Sequence, residues 1–145
     1  MMKLKLIDKI FIAWMHQHGR MILRIAIGIV FVWFGVLKVL GLSPVAELIE
    51  HTYSFFPQPE FLLFLGFWEI AIGIGLIFKI ALRTTLALLW FQMSGTFAAL
   101  FLDPSLFFLH SNIFLLTTEG EFVIKNIVFI AASMVIGGHD VDSWL

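Results

Sequence analysis

Long apolar runs broken at regular intervals by short polar or proline-containing stretches dominate the pattern along this chain. Four of the runs approach the roughly 20 residues needed to cross a bilayer as a helix. They cover about 21–42, 61–80, 84–102 and 122–138. Before them, residues 1–18, "MMKLKLIDKIFIAWMHQH", set Leu4, Ile7, Phe11, Trp14 and Met15 at helical spacing, with Lys3, Lys5, Asp8 and Lys9 mostly off that stripe. This spacing predicts an amphipathic helix lying in the headgroup layer. A secretory leader fits less well, because the apolar stretch is interrupted and no small-x-small cleavage site follows. The short "KIALRT" turn makes spans two and three a hairpin. The connection "SPVAELIEHTYSFFPQPE" predicts a short helix stopped by Pro57 and Pro59. Residues 103–121 are too apolar around "SLFFLHSNIFLL" for a solvated loop and are expected to dip into the interface or cap the bundle. The expected fold is therefore all-α: one integral membrane domain over 1–145, a four-helix bundle preceded by an interfacial helix.

Composition strengthens this picture. Of 145 residues, 61% are hydrophobic and 13% charged, with a mean hydropathy of +1.02, more apolar surface than a soluble domain of this length can bury. The net charge of −1 provides no basic field for nucleic acid. With no cysteine, disulfides, thiol redox chemistry and thiolate metal sites are excluded. The five histidines fall in flanks or loops, so neither a haem with paired His ligands nor a metal is expected. Lys3, Lys5, Lys9, Arg20, Arg24, Lys79 and Arg83 gather at one side, while the two long loops contain Asp and Glu but no Lys or Arg. The positive-inside rule then predicts cytoplasmic termini and external long loops.

Five polar side chains lie within the apolar spans: Lys38, Glu69, Gln92, Lys125 and Asn126. A charge at bilayer depth costs about 2.5–3.5 kcal/mol on insertion scales, so each needs a partner or water. Glu69 lies roughly 12 Å below the external end of span two, and a lysine stem reaches about a turn downward toward it. Lys38 and Lys125 are therefore expected to converge with Glu69 in the external half, Lys125 with Glu121 as its other partner; the plainer alternative is that both amines snorkel to the headgroups. Gln92 and Asn126 read as interhelical hydrogen-bonding groups. Gly66, Glu69 and Gly73 share a face of span two, and Gly28 and Gly35 line span one a heptad apart with Gly35 one turn before Lys38, so both charged residues are expected to look inward.

The segments "RIAIGIVFVWFGVLKVLG", "GFWEIAIGIGLIF" and "EGEFVIKNIVFIAA" resemble the DoxX family of small bacterial membrane proteins over about residues 20–138. The resemblance implies a four-helix membrane protein with Lys38, Glu69, Lys125 and Asn126 as shared polar positions. It also implies association with quinol oxidation, thiosulfate:quinone chemistry or oxidative-stress complexes, though not catalysis by this chain. Two functions follow. In the first, the chain is a quinone-linked redox subunit: Lys38 and Lys125 donate to the head group, Gln92 and Asn126 orient it, and Glu69 exchanges protons. In the second, it is a noncatalytic subunit that assembles or stabilises a larger membrane complex, through partner subunits or copies of itself. A transporter or channel fits less well, since no broken-helix pair or charge ring marks a pathway.

Overall fold

The computed structural model describes residues 2–142. Its elements are α1 (Met2–Val39), α2 (Ala46–Thr52), α3 (Glu60–Phe78), α4 (Leu82–Leu102), α5 (Pro104–Phe107), a 3₁₀ turn (Leu109–Ser111), α6 (Thr118–Ile124) and α7 (Ile127–Asp140). Among these residues there is no strand, only an isolated bridge between Phe108 and Leu116. Four helical stretches are long and apolar enough to cross a membrane: Lys3–Val39, Glu60–Phe78, Leu82–Leu102 and Thr118–Asp140, the last comprising α6 and α7. The chain is a multi-pass membrane protein. The bundle has two ends: a hairpin end, with the α3–α4 turn and the close of α7, and a loop end, with α2 and residues 103–117.

The tightest packing is between α1 and α3, and small residues cause it. A Cβ added at Gly35 would meet the Gly66 carbonyl oxygen at 2.5 Å, and one at Gly73 would meet that of Gly28 at 2.6 Å. Only hydrogen fits, so the two backbones touch directly, as small-xxx-small faces allow in lipid. At the hairpin end, Lys79 (φ 57°) and Ala81 (φ 41°) take left-handed conformations that reverse the chain within three residues. The Lys79 N–H closes back on the Gly75 carbonyl. Ile27, Phe31, Ile72, Leu76, Leu86, Leu89 and Ile136 fill the core of this half.

Arg24 locks the same end. The sequence pattern places it in a charged flank, but it is buried, and its guanidinium donates to the Leu76 and Ile77 carbonyls near the close of α3. Its Nε lies 3.3 Å from Asp140 on α7, as an ion pair rather than a hydrogen bond. A helix C-terminus leaves carbonyls unpaired and carries partial negative charge, and the guanidinium answers both.

At the loop end, Phe107 is fully buried against Ala99, Leu100 and Val123. Thr117 caps α6 by accepting from the Gly120 N–H at 3.0 Å, while its hydroxyl donates to the Leu106 carbonyl at 2.6 Å. Leu106, Phe107 and Phe108 thus pack on the loop end of the bundle, while Leu109, Ile113, Phe114 and Leu115 of the same segment stay exposed.

The separate interfacial helix expected over 1–18 is not what forms. Met1 lies outside the described residues, and from Met2 onward α1 runs unbroken to Val39. No proline interrupts residues 2–39, and the single Gly19 costs only about 1 kcal/mol within a helix. Residues 3–17 are all exposed, apolar and charged alike, so nothing in the bundle distinguishes an apolar face from a polar one.

Candidate functional site

Lys38 is in the last turn of α1, and Glu69 is mid-way along α3. The glycine contacts beside them bring the two backbones close enough for Lys38 Nζ to donate to Glu69 Oε2 at 2.7 Å. Both residues are buried, at 5% and 7% exposure, so neither amine nor carboxylate snorkels to a headgroup. From α4, Gln92 donates its Nε2 to the other carboxylate oxygen, Glu69 Oε1. Both carboxylate oxygens therefore accept, and three helices meet at one group. A buried ion pair of this kind needs both charges and the flanking hydrogen bond to offset desolvation.

The triad lies on the wall of a cavity of about 780 Å³. Such a volume suits a drug-sized or cofactor-sized molecule. The rest of the wall is mainly aromatic and aliphatic: Phe31 and Phe34 from α1, Phe64 and Trp68 from α3, Phe122 from α6. At the loop end it is lined by Leu48, Ile49 and Thr52 of α2 with Tyr53 and Phe56. The Tyr53 hydroxyl donates to the Gly95 carbonyl of α4, tying this segment across the cavity's loop end. Burial pushes the Tyr53 phenol above its ordinary pKa of 10.0, so it stays a donor at any physiological pH. A second tie joins His51 Nδ1 to Asp103 Oδ2 at 3.3 Å.

Hydrogen-bonding capacity is left unspent around this wall. Lys38 Nζ has three N–H groups and one partner. Because an ionised carboxylate only accepts, Gln92 must turn its NH₂ toward Glu69; its Oε1 is then buried without a partner, as is Thr52 Oγ1. Unpaired buried polar atoms cost about 1–3 kcal/mol each.

The five residues singled out by the sequence are not all gathered here. Lys38, Glu69 and Gln92 form the triad, and Asn126 lies on the cavity wall. Lys125 does not join them: its side chain is 74% exposed on the outer face of the bundle and lies 3.7 Å from Glu121. Adjacent residues on a helix diverge by about 100°, so Asn126 and Lys125 cannot both face inward. The chain departs from regular α-helix at this point: Asn126 N–H bonds to the Val123 carbonyl and Val128 N–H to that of Lys125, both at 3.0 Å and both three residues back. Thr52 and Tyr53 are wall residues that sequence reasoning missed. The signal available was their place after a short apolar helix between two spans, which does not say which way that helix folds.

The described residues contain no group of three or more His, Asp or Glu side chains able to hold a metal. What the arrangement can do is bind a neutral, mostly apolar molecule with one or two polar oxygens. It would offer an ammonium donor, an amide and a carboxylate able to hold a proton. Against family models, curated proteins and solved structures alike, the chain has no match.

Proposed function

We propose that this chain is a small membrane subunit that binds a quinone-type head group at Lys38, Glu69 and Gln92. The observation that carries the reading is a buried Lys–Glu–Gln triad on the wall of an aromatic cavity inside a membrane bundle. A quinone is flat and apolar, with carbonyl oxygens at its rim. Lys38 would donate a spare N–H to one such oxygen, Phe64 and Trp68 would hold the ring, and Glu69 would exchange the proton that accompanies electron transfer. Asn126 would orient the ring from α6–α7. Without cysteine, and with no metal cluster among the described residues, electrons would come from a substrate or a partner subunit. The DoxX-like segments agree with this reading, as does an inner-membrane topology with the hairpin end cytoplasmic, where Lys79, Arg83, Arg20 and Arg24 gather.

The test is binding of a decyl-tailed benzoquinone to the protein in lipid nanodiscs, followed by quenching of tryptophan fluorescence, since Trp68 lines the cavity. The charge-neutral double variant Lys38→Met/Glu69→Gln should bind roughly tenfold more weakly or worse, the loss of one charged hydrogen bond. Equal affinity in both proteins removes the proposal.

One observation favours the second reading, a noncatalytic assembly subunit. At the loop end Ile113 and Phe114 are 67% and 86% exposed, an apolar tip that suits a neighbouring membrane subunit. On that reading Ile113→Ser/Phe114→Ser would dissociate a complex isolated in mild detergent and leave quinone binding untouched.

A further inference from the structure

The four spans close around the cavity unequally, and this inequality bears on what the ligand is. The α1–α3 seam is sealed by backbone contact at Gly35 and Gly73. The α3–α4 seam is tied by Gln92 to Glu69 and by Trp68 Nε1, which donates to the Leu88 carbonyl at 3.3 Å. Between α4 and α7, Trp90 Nε1 donates to Ser133 Oγ at 2.7 Å. Among the described residues no hydrogen bond or ion pair joins α1 to α6. There the tilted rings of Phe34 and Phe122 meet with centroids 6.2 Å apart, and beside them Phe31 of α1 packs edge-on against Phe129 of α7 at 5.6 Å. Phe34 and Phe122 both line the cavity, and both residues are partly exposed, at 37% and 41%.

We infer that the cavity takes a bilayer-resident ligand with an apolar chain. Its head group sits at the Lys38–Glu69 pair, and its chain leaves the bundle between α1 and α6, past Phe34 and Phe122. This inference rests on the proposed quinone site and specifies its ligand as the tailed form. Rotation of two exposed phenylalanine side chains opens the seam with no helix movement, and such rotamer changes are fast. Asn126, two residues after α6 ends, lines the same cavity, while Lys125 beside it is exposed and lies 3.7 Å from Glu121. A water-soluble head group has no need of this seam.

The chain's lack of cysteine makes the test direct. In the Phe34→Cys/Phe122→Cys variant, a short bismaleimide bridges the seam, and the same protein with both thiols capped by N-ethylmaleimide is the reference. Exchange of a decyl-tailed benzoquinone should slow roughly tenfold or more on bridging, while a tail-less methylbenzoquinone exchanges as before. An unchanged rate for the tailed probe overturns the inference and leaves the quinone site standing. Equal slowing of both probes also overturns it, because the bridge then acts on the cavity and not on the chain's route. Failure of the natural protein to bind either probe removes the quinone site and this inference with it.

Discussion

Lys38 and Glu69 are tolerable in an apolar interior only as a pair. Separately, each would carry the desolvation cost of a bare charge; 2.7 Å apart and with Gln92 on the second oxygen, they form a neutral, hydrogen-bonded unit. Removing one partner should therefore hurt more than removing both. Glu69→Ala is expected to destabilise the bundle by about 3–5 kcal/mol, because Lys38 is left charged and unpaired, while Lys38→Met/Glu69→Leu should be nearly neutral. Unfolding in mixed micelles measures both, and a double variant as unstable as the single one would refute the pair's role. Lys38 and Glu69 could be matched from sequence since a lysine stem spans the turn between their depths and glycines mark their faces. Lys125 could not be resolved that way: whether it reached Glu69 or Glu121 depended on a helix rotation that 1.5 Å per residue does not describe.

At the scale of elements, α1 and α3 form a rigid half against which the rest is arranged. Gly73→Val would place two methyl groups against the Gly28 carbonyl and Val32, forcing the helices apart. The expected loss is about 1–3 kcal/mol from overpacking. Because Gly73 is one turn from Glu69, the separation should also lengthen the Lys38–Glu69 contact and weaken quinone binding in the same variant. A normal melting transition in Gly73→Val would show that the backbone contact contributes little. The pairing of α1 with α3 was legible in the glycine spacing of both spans. The fold of α2 onto the cavity was not, since seven residues of mixed character carry no face strong enough to specify a partner.

Across the whole molecule, α1 is far longer than a bilayer needs. Its 38 residues span about 57 Å, against 19 residues in α3. Residues 3–17 extend past the hairpin end without burying anything in the bundle. Deleting residues 2–17 should leave the melting temperature of the purified bundle within about 2 °C of the full chain, as expected where no buried contact is lost. A larger drop would mean that the extension packs against its own bundle or a second copy. The same long helix shows how a sequence pattern can be read correctly and assembled wrongly. Leu4, Ile7, Phe11 and Trp14 do fall at helical spacing, yet nothing between residues 18 and 21 stops the helix, so one element stands where two were expected.

Hydrophobic run length, turn residues and the small-residue spacing determined most of the architecture: four membrane-spanning stretches, the hairpin, the α1–α3 contact and the inward direction of Lys38 and Glu69. These are local quantities, set by the cost of exposing a polar backbone to lipid and by the pitch of a helix. Only the tertiary structure decided which polar groups meet. Gln92 completes the triad, Arg24 turns inward to hold the end of α3, Lys125 turns outward, and Thr52 and Tyr53 line the aromatic cavity. Each of those outcomes depends on the relative rotation of helices far apart in the chain. That rotation is set by packing summed over every facing side chain, which no single stretch of sequence contains.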